Sequence, residues 1–248
     1  MKKLTNSQKM YFGLIILLSI NAFIFVFLPM GGIFPEQEMP VSRFVLGLAN
    51  AGIMLVVYGG IGYLGLILSQ KIGFENVINE KISNKKKILE IILIGVFIGI
   101  FFIIIDIIGN KLLGLPPLTH PPFPTSISAS INAAIGEELI FRLFFISLWV
   151  WLLSKIIKSE NKRNILFWIV TIFSALAFAA MHFPSFMMLY NYNTLLEMPV
   201  SKIIIIIGLN GILSIFCAYY LRKYGFLSAV LIHFSLGIVW HVIWGLIV

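Results

Sequence analysis

Two adjacent carboxylates, Glu137 and Glu138, lie inside an apolar run from Ile127 to Leu153, and Arg142 follows four residues after the second of them. A charged side chain near the centre of a bilayer costs at least ~2.5–3.5 kcal/mol on insertion scales. A run that keeps three ionisable groups within six residues is therefore expected to use them. The chemistry that they favour is proton transfer, with one carboxylate as a general base.

The two carboxylates are expected to have different partners. On a helix, residues i and i+4 share a face, while consecutive residues are ~100° apart. Glu138 can therefore pair with Arg142, whereas Glu137 faces a different neighbour. A buried ion cluster that only fixes helix packing would explain Glu138 and Arg142. It leaves Glu137 surplus, because a salt bridge needs one carboxylate, so Glu137 is the candidate base.

Two histidines on other apolar runs, His182 and His233, are predicted to come to a similar depth. With aromatic residues near the ends of the runs as interfacial markers, Glu137 lies ~18 Å, His182 ~21 Å and His233 ~14 Å from one interface at ~1.5 Å per residue. Two imidazoles and a carboxylate could ligate a metal such as zinc, which activates a bound water. Alternatively, they could hold the water directly and donate to the oxyanion of a tetrahedral intermediate.

The composition indicates a membrane environment. The chain has 248 residues, of which 60% are hydrophobic and 11% charged, and its mean hydropathy is +1.02. These values predict an all-α, polytopic transmembrane bundle. The formal net charge of +8 does not indicate nucleic-acid binding, because Lys and Arg separate the apolar runs rather than form a patch. The single Cys217 lies in an apolar run, so we assign it to packing.

Seven apolar runs are long enough to cross ~30 Å of hydrocarbon. The first is longer than a signal-peptide core and has no cleavage site after it, so it is read as an uncleaved helix. Of the 18 Lys and Arg residues, 14 fall on one side of the alternating connections, many of them in the polar segment 75–87. The positive-inside rule then predicts a cytoplasmic N-terminus. The runs are 11–30, 44–69, 88–109, 127–153, 165–182, 202–221 and 226–247.

The runs suggest two units and leave a second function open. Residues 1–110 are expected to form an N-terminal unit of three helices, and residues 120–248 a catalytic core of four. Asp106, on the third run, would suit a proton- or cation-coupled transporter. The absence of an inverted sequence repeat and the clustering of charge on the last four runs count against that alternative.

The spacing of the ionisable residues resembles the CAAX protease and bacteriocin-processing (CPBP or Abi) family of intramembrane proteases. Its eukaryotic branch contains the type II CAAX prenyl endopeptidases. Three elements within residues 120–245 carry the resemblance: Glu137-Glu138-Leu-Ile-Phe-Arg142, Phe178-x-x-x-His182 and Tyr224-Gly-Phe-Leu-x-x-x-x-x-His233.

By this resemblance, Glu137 activates the water, with support from Glu138 and Arg142. His182 shares the binding of water or metal, and His233 stabilises the oxyanion or ligates metal. The divalent metal, if one is used, would be bound by Glu137, His182 and His233.

The resemblance also implies the partners. They are the lipid bilayer and a membrane-associated peptide or protein, either CAAX-like and prenylated or a bacteriocin or leader peptide, and no nucleic acid. One position departs from the family, because Gly237 stands where an Asn or Asp usually follows the final His by four residues. Asn210 or His241 could replace the lost group. Otherwise the chain is a catalytically silent immunity or scaffold protein.

Overall fold

The computed structural model describes residues 4–31, 41–78 and 85–248, and these ranges contain helices without any β-strand. Seven long helices make up this part of the chain. They are α1 (Asn6–Phe25), α2 (Arg43–Lys71), α3 (Lys85–Leu113), α4 (125–154), α5 (Glu160–Leu189), α6 (Val200–Tyr224) and α7 (Phe226–Leu246). A short 3₁₀ turn, Leu195–Glu197, precedes α6.

Six of these seven helices, all except α4, are long and apolar enough to cross a membrane. The remaining helix, α4, is the one that carries Glu137, Glu138 and Arg142. The prediction of an all-α, polytopic bundle is therefore confirmed, and the protein is an integral membrane protein. The charged side chains of α4 have to be satisfied within the bundle, because hydrocarbon offers them no partner.

The ends of two helices differ most from the predicted runs. Helix α1 begins at Asn6 rather than at residue 11, because Thr5 and Gln8 form a capping box that satisfies the first free N–H groups. Helix α5 does not end at His182 as predicted, since it continues through Pro184 to Leu189. An interior proline removes one N–H and crowds the carbonyl four residues before it, but membrane helices tolerate it where neighbouring groups satisfy the freed backbone. His182 therefore lies within a helix and not at its end.

The sharp turn between α6 and α7 depends on Gly225, which has φ +91°. This is a backbone conformation that favours glycine, and a Cβ atom here would collide with the carbonyl oxygen of Asn76. The turn is tied to the same segment by the Leu227 N–H, which donates to Val77 O at 3.0 Å. Of the polar segment 75–87, residues 79–84 lie outside the described residues, and α3 begins at Lys85.

Helix α4 lies in the middle of the bundle, in contact with α1, α2, α5, α6 and α7. On the other side of α7, helix α3 packs closely through Gly95 and Gly99. A Cβ atom on either glycine would meet α7, at Ile232 and Ser235 or at Val239. Small residues four apart allow such a close approach of two membrane helices. Helix α7 is thus fixed between α3 and α4.

Candidate active site

The three charged residues of α4 lie in a π-helical stretch, Ala133–Ile146, within the otherwise α-helical segment. Such stretches change the angular spacing of side chains and occur frequently at functional sites. Glu138 and Arg142 are fully buried, while the side chain of Glu137 keeps 24% of its surface accessible. The two carboxylates therefore differ in solvent access as well as in direction.

Arg142 pairs with Glu138 as predicted. The distance from Arg142 Nε to Glu138 Oε2 is 3.3 Å. The guanidinium group also lies over the ring of Phe178 on α5, 4.1 Å from its centroid, where a cation–π contact adds to the ion pair. These contacts fix the carboxylate of Glu138 from the α4 side.

His233 on α7 connects the two carboxylates. Its Nδ1–H donates to Glu138 Oε1 at 2.8 Å, and its Nε2 lies 3.7 Å from Glu137 Oε2. The result is a continuous chain of charged or polar groups, Arg142–Glu138–His233–Glu137, of which only the last member has appreciable access. A carboxylate that binds one nitrogen of an imidazole sets its tautomer and its orientation.

His182 on α5 is oriented by its own helix. Its Nδ1–H donates to the carbonyl oxygen of Phe178 at 2.8 Å, and its ring meets that of Phe178 edge to face at 4.8 Å between centroids. A neutral imidazole with its proton on Nδ1 has a lone pair on Nε2. His182 can therefore accept a hydrogen bond at Nε2, or ligate an ion, but it cannot donate there.

The three predicted residues line one cavity of about 140 Å³ between α4, α5, α6 and α7. Helix α3 and the connection that follows it also contribute to the wall. Most of the lining is apolar, so the few polar groups have little competing solvent around them. The polar members are Glu137, His182, Asn210, His233 and His241. The structure thus places Glu137, His182 and His233 in the wall of one mostly apolar cavity, and their catalytic roles remain a prediction.

The donor set does not fit a metal centre in this arrangement. Glu137 and His233 approach each other, but among residues 4–31, 41–78 and 85–248 no three or more His, Cys, Asp or Glu side chains are grouped closely enough to hold a metal ion. A catalytic zinc site usually needs three protein ligands. The metal set of Glu137, His182 and His233 thus remains a prediction from the resemblance, and no step below passes through it.

Gly237 is explained by packing. A Cβ atom at this position would lie 2.8 Å from Ser130 Oγ and 2.9 Å from Ser130 Cβ, so α7 and α4 touch here and leave no room for an amide side chain. The two candidates for replacing that amide, Asn210 and His241, both line the cavity. The Asn210 amide is partly engaged, since its Nδ2 donates to Ile206 O at 2.8 Å.

Asp106 lies apart from the cavity and is fully engaged. Its Oδ1 accepts from the Leu118 N–H and its Oδ2 from Trp244 Nε1–H, each at 3.1 Å. These bonds attach the connection after α3 and the end of α7 to the buried carboxylate. These contacts explain the buried Asp106 by packing, and the transporter alternative stays a prediction that they do not support.

Two residues near this end of the bundle have contacts that the sequence pattern does not indicate. Lys202, at the start of the sixth apolar run, is only 2% exposed, and its Nζ lies 3.1 Å from the ring centroid of Tyr190. His120 precedes α4 in a proline-rich connection. Its Nδ1 lies 3.3 Å from His241 Nδ1, and burial lowers the pKa of His120 to about 4. The sequence gives no periodic pattern there that could have revealed this contact.

Comparison with known proteins shows a similarity to one described family. The family described as type II CAAX prenyl endopeptidase Rce1-like matches residues 119–239, a region that contains Glu137, His182, Asn210 and His233 of the cavity wall but not His241. No curated protein and no solved structure matches the chain.

Proposed function

Because residues 119–239 belong to the Rce1-like family of type II CAAX prenyl endopeptidases, we propose that this CAAX-type intramembrane protease hydrolyses its substrate with Glu137 as the general base. The observation that carries the proposal is the buried chain Arg142–Glu138–His233, which ends at a carboxylate that is open to the cavity. An ion cluster that only fixed helix packing would not need Glu137, the carboxylate that is open to the cavity.

In the first step, a water molecule in the cavity gives a proton to Glu137 as its oxygen attacks the scissile carbonyl carbon. His182 accepts a hydrogen bond from the same water at Nε2, the only ring nitrogen that its bond to Phe178 leaves available. The attacking lone pair is thereby aimed at the carbonyl carbon. Positioning of this kind contributes through orientation, and the base contributes about 10²–10⁴-fold.

The oxyanion that develops is assigned to His233. We assign this residue as imidazolium, since its positive charge together with Arg142 balances the charges of Glu137 and Glu138. A cluster with no net charge is favoured where solvent is scarce. With Nδ1–H bound to Glu138, the Nε2–H is left to donate to the oxyanion, which is the largest kind of electrostatic contribution in acyl transfer.

In the second step, the tetrahedral intermediate collapses and the C–N bond breaks. Glu137 returns the proton to the leaving nitrogen, so the carboxylate is regenerated and one water has been consumed. Glu138 and Arg142 do not touch the reacting atoms in this scheme, and their part is to hold His233 in position and charged.

The substrate that we propose is a membrane-anchored peptide, and the family name favours a prenylated CAAX-like sequence over a bacteriocin or leader peptide. The test uses the purified full-length protein in liposomes, with two fluorogenic peptides as probes: an S-farnesyl-cysteine peptide and an acylated leader-type peptide. Cleavage of the first by the wild type, and its loss in Glu137→Gln, is the expected result.

Glu160→Gln is the matched control, because Glu160 is exposed in the first turn of α5 and should leave cleavage unchanged. Each variant is checked by size-exclusion chromatography so that loss of activity is not confused with unfolding. Continued cleavage by well-folded Glu137→Gln would contradict the base assignment. If only the leader-type peptide is cleaved, the substrate is a leader-type peptide and not a prenylated CAAX-like one.

A further inference from the structure

An apolar groove runs along the outside of the bundle, between α3 and α6. Its volume is about 680 Å³, and it shares no lining residue with the cavity that holds Glu137 and His233. The lining residues on α3 run from Lys86 to Ile100, and Phe216 of α6 contributes to the other side. The groove therefore belongs to the membrane-facing surface and not to the candidate active site.

The length of the groove matches one leaflet of a bilayer. Lys86 and Ile100 are 14 residues apart, which is ~21 Å along a helix. A bilayer is ~40–45 Å thick with its headgroup regions, so one leaflet takes up ~20–22 Å. The groove thus begins at a basic residue at one end of α3 and ends near the middle of the membrane, as a single lipid does.

Helix α3 has two different faces along this length. Its glycines, Gly95 and Gly99, are packed against α7, whereas Leu93 and Phe97 in the groove are 54% and 71% exposed. Lipid chains already surround apolar residues in a membrane, so the groove can hold a chain by close packing but cannot choose a class of lipid by being apolar. The choice has to come from the end where the headgroup lies.

Cations from both helices meet at that end. Lys86 lines the groove on α3. On α6, Lys223 follows Phe216 by seven residues, which places both side chains on the same face about two turns apart. The Nζ atoms of Lys87 and Lys223 lie 4.5 Å and 5.2 Å from the ring centroid of Tyr224. The basic ends of α3 and α6 are therefore neighbours.

The net charge of this end is positive. Glu90, which also lines the groove, accepts from Lys87 Nζ at 2.7 Å, so one cation offsets this carboxylate. Lys86 and Lys223, both exposed, add positive charge beside the pair. Two further consequences follow from position. The positive-inside rule predicts that this end faces the cytoplasm, and basic pockets between membrane helices on that side bind anionic headgroups.

We propose that the groove between α3 and α6 binds an anionic phospholipid, with one acyl chain along α3 and the headgroup among Lys86, Lys87 and Lys223. The lipid covers the outer face of the helix whose inner face packs against α7. This site is separate from the proposed function and does not depend on it.

The experiment compares retention of two phospholipids by the purified full-length protein. Native mass spectrometry is performed from micelles with equal amounts of phosphatidylglycerol and phosphatidylcholine that have the same acyl chains. The wild type is expected to retain phosphatidylglycerol at least about fivefold more than phosphatidylcholine, since one lysine near the headgroup contributes about that factor. The variant Lys86→Gln with Lys223→Gln should lower the ratio at least about fivefold.

The matched control removes the same charge elsewhere on the same predicted side. Lys158 and Lys162 are exposed near the start of α5, and neither lines the groove. Lys158→Gln with Lys162→Gln should leave the ratio of the two lipids unchanged. A control that lowers the ratio as much as the groove variant would mean that the whole basic surface attracts the lipid, and it would overturn the proposal.

A second pair of variants tests the acyl-chain part of the site. Leu93→Trp narrows the groove, and it should lower the total phospholipid retained by at least ~3-fold because packing contacts are lost. Ile104→Trp is its control, since Ile104 is 48% exposed on the same helix but lies outside the groove. Equal retention by these two variants would remove the groove from the site.

The wild type alone also tests the proposal, so a variant that fails to fold does not remove the test. Equal retention of the two lipids by the wild type would overturn it. Displacement of phosphatidylglycerol by the S-farnesyl-cysteine peptide, with a KM at least tenfold higher in Leu93→Trp than in Ile104→Trp, would assign the groove to the isoprenoid of the substrate instead. Absence of peptide cleavage would refute the proposed function while leaving the lipid site untouched.

Discussion

The sharpest test of the site compares alanine at the two adjacent glutamates. Glu138 is fully buried and contacts both Arg142 and His233, whereas Glu137 is partly accessible and lies 3.7 Å from His233 alone. Glu138→Ala should therefore unfold the protein at a lower temperature, and Glu137→Ala should not. Both should be inactive, but for different reasons. Glu137→Ala lacks the base, and Glu138→Ala lacks the structure that orients His233.

The expected loss of stability depends on the charge that each substitution leaves without a partner. Removing Glu138 strands a guanidinium that is inaccessible to solvent, and breaking a buried pair in this way costs about 3–5 kcal/mol. For a chain of this size, that corresponds to a melting temperature about 6–20 °C lower. Removing Glu137 breaks only a longer contact at an accessible group, worth about 0–1 kcal/mol, or at most about 4 °C.

Thermal unfolding in detergent, followed by fluorescence-detected size exclusion, measures both values, and Glu160→Ala is the exposed control. A double variant, Glu138→Leu with Arg142→Met, removes both charges and should recover at least half of the lost stability, while remaining inactive. If Glu138→Ala melts within about 2 °C of Glu137→Ala, the burial of the pair does not have the energetic consequence that we assign to it. If the double variant does not recover stability, lost packing and not the unpaired charge of Arg142 causes the lower melting temperature of Glu138→Ala.

Four further outcomes are expected. His182→Ala and His233→Ala should each lower kcat/KM by at least ~100-fold. His233→Ala should also lower the melting temperature more than His182→Ala, because His233 binds Glu138. Equal melting temperatures for the two variants would argue against this bond. Gly237→Asn should destabilise the protein by about 1–3 kcal/mol without increasing activity, and Ser130→Gly in the same chain should relieve the overlap. Dialysis against a chelator should leave cleavage unchanged, and a fall that zinc reverses would restore the metal mechanism. If the N-terminus is cytoplasmic, the connection 190–199 lies outside the cell, so a cysteine introduced there should react with an impermeant maleimide added to intact cells. Labelling that occurs only after lysis would show that the N-terminus lies outside instead.

The number and order of the helices could be predicted because hydrocarbon thickness fixes how long an apolar run must be. Their ends could not, because local contacts decide them. Thr5 extends α1 by means of a capping box, and Pro184 fails to end α5. Lys202 shows the same limit for a single residue. It stands at the start of an apolar run, and the ring of Tyr190 covers it, a contact that depends on how the helices pack.

The candidate site was predictable to the extent that it depends on one helix. The pairing of Glu138 with Arg142 follows from a spacing of four residues, and the structure contains it. The bond from His233 to Glu138 joins two helices whose rotation and tilt are set by packing, so the sequence indicated only a similar depth. His120 reaches His241 from a connection without periodicity, and no pattern in the sequence places that connection beside α7.

The structure also changes the reason for assigning Glu137 as the base. In the sequence, Glu137 is the carboxylate that remains once Glu138 has been given to Arg142. In the structure, Glu138 has a second partner, because Oε1 accepts from His233 while Oε2 faces Arg142. A carboxylate with both oxygens engaged and no accessible surface cannot take a proton from water without breaking those contacts, at a cost of several kcal/mol. Glu137 has one distant partner and an open cavity, so it alone can exchange a proton while the rest of the chain of contacts stays intact.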